Sequence, residues 1–282
     1  MNKKSQFFYI LSASIVLLSL SFASCVSRPS VTSEEEENVL FAPESYIPSS
    51  FNWQSVCEGI SYSSFKSDSA RVSYHLVRVD LEKQGLTLCA YPETESYKTQ
   101  SVSDFAKQSG CILAFNTSPF DTSSATEIRG VHIAKGIHIS DCIEKYAALA
   151  LKKTSGGTWH ACVIASQNEK AVEENDFVLG GFFAVVLDGQ AQHFAHHSYE
   201  ARMGAGISAD GKTLYIMMVE KTNSLRGLSY QQCAKVFLAL GCSNALEFDG
   251  GHSTELYLDG TTLTGTSPCR KQAAMFGFKV EE

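Results

Sequence analysis

The mostly apolar stretch Ala245–Phe248 ends in Asp249, which is followed by Gly250, Gly251, His252, Ser253 and Thr254. A strand that delivers a carboxylate to its tip just before a glycine turn suits an active site. The glycines let a ligand approach the backbone, and their amides can point at it. An ordinary hairpin turn with Asp at its mouth has the same pattern. Asp249 is the first candidate for an essential carboxylate. Glu247 lies two residues earlier, so strand alternation sends both acids to one face. Glu220 ends a second apolar run and is the next acid in rank; Glu247 and Glu220 also fit solvent-facing strand positions. His252 is of the residue type best suited to moving protons at neutral pH, and it could move a proton, hydrogen-bond a substrate or fill space. Gly250, Gly251 and the hydroxyls of Ser253 and Thr254 could cradle an anion, or serve only the turn. Asn116, at the end of Ala114-Phe115, reads as a residue that orients a substrate or a strand tip. His193, His196 and His197 cluster without a carboxylate at ligand spacing, and none of the cysteines forms a C-x-x-C pair, so no metal or other cofactor is expected.

The elements that must position these groups are mostly strands. Phe182–Leu187 and Ala191–Phe194 flank Asp188-Gly189, Gly204–Ser208 and Thr213–Val219 flank Ala209–Lys212, and Glu255–Leu258 and Thr261–Leu263 flank Asp259-Gly260. Leu76–Asp80 and Leu86–Tyr91 flank Lys83-Gln84-Gly85 in the same manner. Hairpins imply antiparallel pairing. Two amphipathic helices interrupt them. One is capped by Ser101 or Ser103 and stops at Gly110; the other is capped by Ser229, with Gln232 completing a capping box, and stops at Gly241. The expected fold is α+β, a mainly antiparallel twisted sheet with a few packed helices. Helix, Gly-Cys, strand and polar tip occur twice, leading to Asn116 and to Asp249. If the two strands are neighbours, both tips face one cleft, although coincidence in two short connections explains the echo as well.

The first 24 residues read as an export signal: Lys3 and Lys4, then an apolar core from Phe7 to Leu20 that is short for a membrane span. Small residues precede Cys25, as at a bacterial lipoprotein cleavage site, although Phe22 stands where Leu is usual. Lipidation of Cys25 would anchor the chain in the cell envelope. Cleavage after Ala23, giving a soluble secreted protein, is the alternative. Residues 25–50, with Pro29, Pro43, Pro48 and the acidic run Glu34–Glu37, read as a flexible tether, and 51–282 as one domain with its own core. The chain carries a formal charge of −7, and −9 once Lys3 and Lys4 leave with the signal (−7 − 2), which argues against nucleic acid as a partner.

Five pieces in order resemble the phosphodiester glycosidase family over about Tyr74 to Gly260. They are Ala114-Phe115-Asn116-Thr117-Ser118-Pro119-Phe120, Arg202-Met203-Gly204-Ala205-Gly206, Met218-Val219-Glu220, Gly227-Leu228-Ser229, and Phe248-Asp249-Gly250-Gly251-His252-Ser253-Thr254. The resemblance implies hydrolysis between a sugar anomeric carbon and a phosphate. It implies Arg202 as a fork-shaped phosphate donor and Glu220 as an acid of the site. It implies Asp249 as the carboxylate that serves the sugar carbon or the attacking water. The chain departs from the family at Thr117 and Ser118, which replace glycines, at Met203, at Lys221 and Thr222, and at His252. Two functions follow: an envelope hydrolase of a sugar-1-phosphodiester or related glycan linkage, or a non-catalytic envelope lipoprotein that binds glycan or protein on the same scaffold.

Overall fold

A computed structural model describes residues 42–122, 127–195 and 198–281. The expected signal, Cys25 and most of the tether lie outside the described residues, as do His196 and His197. Within them the strands form three antiparallel sheets. The first has eight strands in the order β1 (Gln54–Cys57), β2 (Ile60–Ser67), β3 (Val72–Asp80), β14 (Thr213–Val219), β13 (Arg202–Ile207), β15 (Asn244–Glu247), β11 (Ala184–Leu187) and β12 (Gln190–Ala191). The second runs β7 (Ile137–Ser140), β6 (His132–Ala134), β10 (Phe177–Gly180), β8 (Ala148–Lys153) and β9 (Trp159–Ile164). The third runs β17 (Thr261–Thr264), β16 (Glu255–Leu258), β5 (Leu113–Asn116), β18 (Met275–Val280) and β4 (Leu86–Tyr91).

All three sheets share one apolar core. Val77, Met203 and Leu246 of the first meet Leu149 and Phe177 of the second and Phe115, Phe276 and Phe278 of the third. Each such side chain taken from water contributes about 1.5–3 kcal/mol. Helices close the outer faces. Helix α2 (Val102–Ser109) packs Phe105 and Ala106 against Ala114, Tyr257 and Met275. Helix α4 (Tyr230–Ala239) lays Val236 and Phe237 on the outer face of the first sheet, against Val186, Met217 and Ala245. Both begin as their sequences require: Ser101 accepts from the Asp104 amide, and Ser229 and Gln232 form a reciprocal capping box. Short helices α1 (Pro43–Tyr46) and α3 (Glu169–Val172) complete the set.

The architecture is the antiparallel α+β arrangement expected, and three of the four hairpins form as read. The fourth does not. β3 pairs with β2 and β14, while β4 pairs with β18, so the Lys83-Gln84-Gly85 turn carries the chain from one sheet to another. β2 and β14 occupy both edges of β3, so β4 finds its partner in β18 of the third sheet. Within the span 25–50 read as a tether, Pro43–Tyr46 forms a short helix. Tyr46 is fully buried in the outer core, and the Tyr74 hydroxyl donates to its carbonyl at 2.9 Å.

Candidate active site

β5 and β15 belong to different sheets, so the repeated helix–strand units are not neighbours by pairing. Their tips nevertheless meet. Asn116 Nδ2 donates to the Asp249 carbonyl at 2.7 Å, and its Oδ1 accepts from the Glu255 amide at 3.0 Å. The Asp249 amide donates to the Thr117 carbonyl at 2.9 Å. One buried amide side chain thus fastens β5, the turn after β15, and β16. The two glycines have separate reasons. A Cβ on Gly250 would stand 2.8 Å from the Ala201 carbonyl oxygen, so only glycine fits against the start of β13. Gly251 has φ +60°, the left-handed region that glycine enters without strain. Gly251 opens a single 3₁₀ turn, Gly251–Ser253, that carries His252 outward and Ser253 inward.

At this junction burial raises the Asp249 carboxyl to about 6, against the pull of Ser253, Arg270 and the Gly250 amide. The Ser253 hydroxyl faces the carboxylate without reaching full hydrogen-bond geometry. Ser253, Thr254, Thr117 and Ser118 are buried, and none of their hydroxyls has a partner. The last two are hydroxyl donors at positions where the sequence comparison had placed glycines. His252 Nδ1 lies 3.0 Å from the Pro268 carbonyl. A carbonyl can only accept, so Nδ1 carries the proton and a neutral His252 keeps an Nε2 lone pair. His252 and Gly251 line an open cavity of about 400 Å³, together with Glu200, Lys221, Asn223 and Thr266.

Arg202 is placed differently from the expectation of an open phosphate fork. It is 5 % exposed; Nε donates to the Leu228 carbonyl at 3.1 Å and Nη2 to the Ser198 carbonyl at 2.8 Å. Its guanidinium carbon stacks 3.9 Å over the Tyr230 ring. Register explains the burial. Arg202 is opposite Val219, and Glu247 is opposite Gly204, so both side chains point to the face that α4 covers. Glu247 is fully enclosed there, neither carboxylate oxygen has a partner, and burial raises its carboxyl to about 7 despite Arg202 and the Cys233 thiol nearby.

Glu220 turns to the other face. Its amide donates to the Ser73 carbonyl at 3.0 Å, which continues the β3–β14 ladder by one step beyond Val219. Its Oε1 accepts from the Ser73 hydroxyl at 2.7 Å and lies 2.8 Å from His75 Nε2, while His75 Nδ1 is 2.6 Å from the Tyr62 hydroxyl. The bond with His75 holds the Glu220 carboxyl below its usual value. It lines a second cavity, of about 730 Å³, with Lys66, Arg71, Ser73 and Asn223. The structure therefore gathers Asn116, Asp249, Gly250, Gly251, His252, Ser253 and Thr254 at one junction. Arg202 and Glu247 lie behind the sheet, and Glu220 lies in the adjoining cavity that shares Asn223. Sequence reading missed Arg270 beside Asp249, and Ser73, His75 and Tyr62 beside Glu220. No local signal could find them, because pairing joins segments 145 residues apart in the His75–Glu220 contact.

Among the described residues no group of His, Cys, Asp and Glu is arranged to hold a metal ion. The domain thus has three antiparallel sheets whose strand tips bring a half-buried carboxylate, Asp249, and a glycine turn close to an open cavity. The model of the phosphodiester glycosidase family matches residues 109–279, more than half of the chain, and the chain belongs to that family. No curated protein sequence is significantly similar to it. Among solved structures it resembles a hypothetical protein from Synechocystis (TM-score 0.65, 14 % identity, covering 82 % of this chain and 64 % of that one). It thus spans just under two thirds of that protein. It also resembles the zebrafish N-acetylglucosamine-1-phosphodiester alpha-N-acetylglucosaminidase catalytic domain auto-inhibited by its pro-peptide (TM-score 0.61, 18 % identity, 83 % and 88 % coverage). A putative exported protein from Burkholderia pseudomallei K96243 is similar at TM-score 0.54 and 11 % identity, with 73 % and 74 % coverage.

Proposed function

We propose that the chain is an exported hydrolase that cleaves a sugar-1-phosphodiester, held at the bacterial cell envelope by a lipid on Cys25. The observation that carries the activity is the Asp249 carboxyl at the strand junction, raised by burial to about 6 and followed directly by residues that line an open cavity. A carboxyl in that range is ionised at neutral pH and still basic enough to direct water or to face a developing oxocarbenium ion. The leaving phosphate is already stable as an anion, so no strong acid is required opposite Asp249. His252 Nε2 is a second acceptor at the cavity wall. Arg202 is committed to the Ser198 and Leu228 carbonyls. The cation we assign to the phosphate is therefore Arg270, beside Asp249; Lys221, in the cavity wall, already gives its Nζ to the Glu200 carboxylate at 2.7 Å and the Tyr199 carbonyl at 2.8 Å. Arg202 then positions the start of β13, against which Gly250 packs.

The test is a panel of sugar-1-phosphodiesters differing in sugar and anomer, with release of free reducing sugar as readout. Turnover of at least one member supports the hydrolase. Binding of such diesters by calorimetry with no release from any of them would favour the non-catalytic lipoprotein. For the anchor, Cys25→Ala is expected to move the protein from the membrane to the soluble extracytoplasmic fraction and to remove the mass of the lipid. Unchanged fractionation, with no lipid mass on the wild-type protein, would count against the anchor.

A further inference from the structure

Cys89 lies on β4 and Cys111 directly follows the Gly110 cap of α2. In the β18–β4 ladder Gly277 is the residue opposite Cys89. Directly opposed residues in antiparallel strands point to the same face, with Cβ atoms about 4.5–5.5 Å apart. Gly277 has no side chain, and the Cys111 sulfur fills that space: a Cβ built on Gly277 would stand 2.8 Å from Cys111 Sγ. The two thiols therefore face each other across a gap that a larger residue at 277 would close. They pack in one small apolar cluster with Phe105, Ala106 and Met275. Cys111 is buried, whereas Cys89 is partly open to solvent.

We propose that Cys89 and Cys111 join as a disulfide in the mature protein, a covalent tie between β4 and the segment that leads from α2 into β5. Its presence in the cell rests on the export reading, because disulfides persist in oxidising compartments; its capacity to form does not. The chemistry is thiol–disulfide exchange. Contact with Cys111 brings the Cys89 thiol down to about 7, aided by Lys279 and Lys135, while contact with Cys89 pushes the Cys111 thiol up. Cys89 thus supplies the attacking thiolate. With a small disulfide such as oxidised glutathione, the Cys89 thiolate attacks one sulfur and releases one glutathione thiolate. Cys111 then attacks the Cys89 sulfur of the mixed disulfide, giving its proton and displacing the second glutathione. The two protein thiols lose two electrons and two protons, and oxidised glutathione becomes two thiols. The tie bears on the site because β5 runs from this crosslink to Asn116, which fastens the Asp249 turn.

The experiment treats the purified, reduced, folded chain with oxidised glutathione, blocks free thiols with iodoacetamide, and maps peptides without reduction. The expected result is one linked peptide pair holding Cys89 and Cys111, lighter by two hydrogens and split by dithiothreitol. A Tm rise of roughly 5–10 °C should vanish with the same reductant. Cys89→Ser should abolish both. Recovery of Cys111 as the alkylated thiol with Cys89 glutathionylated, or linkage of either to another cysteine, overturns the proposal. Formation of the bond in vitro with a cytoplasmic location in the cell would count against export and leave the pairing intact.

Discussion

Asp249→Asn is expected to lower kcat on a sugar-1-phosphodiester by about 10²–10⁴-fold, the range a positioned acid or base contributes, while KM and the fold change little. The amide keeps the shape of the carboxyl and its backbone ties to Thr117 and Asn116, and it loses only the charge. The wild-type carboxyl titrates at about 6 because burial opposes ionisation. If the carboxylate is the working form, kcat/KM should fall about tenfold for each pH unit below that value, and the residual rate of the variant should lack the step. Stability at neutral pH should not suffer, because Asn removes a charge that burial disfavours. Steady-state kinetics from pH 4.5 to 8 with thermal melts of both proteins decide the matter. A variant with wild-type kcat would remove Asp249 from the chemistry.

What the sequence reveals about this molecule is divided by distance along the chain. The caps at Ser101 and Ser229, the Asp188-Gly189 and Asp259-Gly260 hairpins and the Gly250-Gly251 turn are decided within a few residues, and each is legible from local backbone preferences. The partition into three sheets is not. β4 and β18 pair across almost the whole domain, and nothing near Lys83-Gln84-Gly85 distinguishes a hairpin turn from a crossing between sheets. The same limit governs the site. That Asn116 and Asp249 meet follows from two strand tips converging from different sheets, a tertiary event that the local echo hinted at for the wrong reason. Arg202 was expected as a phosphate fork because the family resemblance carried over the residue and not the face on which its strand presents it. Register against Val219, and the Ser198 and Leu228 carbonyls, turn it inward under Tyr230. Glu247 was read with Asp249 on one face, but β15 ends at Glu247 and the chain turns at Gly250, so only the first stays behind the sheet.

Glu247→Gln is expected to stabilise the protein in the alkaline range and to flatten its pH dependence. Burial raises the Glu247 carboxyl to about 7 from the ordinary 4.5. The folded state therefore holds a proton that the unfolded chain releases. The stability this contributes is complete below pH 4.5 and is lost as pH rises through 7. A shift of that size corresponds to about 3 kcal/mol at most between the two ends. Arg202 lies close enough to moderate the cost of the anion, but the upward shift means that it does not cancel it. The wild-type curve alone would hide the effect. His132, fully buried, is pushed down to about 4 by burial, so it makes stability rise with pH up to its ordinary 6.5, while Asp249 makes it fall between 3.8 and 6. Those groups are unchanged in the variant and drop out of the difference. Chemical denaturation of both proteins at pH 5, 6.5 and 8 should give a difference in unfolding free energy that favours the glutamine variant increasingly from pH 5 to 8. A difference independent of pH would mean that Glu247 is already ionised in the fold, its charge neutralised by Arg202 across the buried face of β13 and β15.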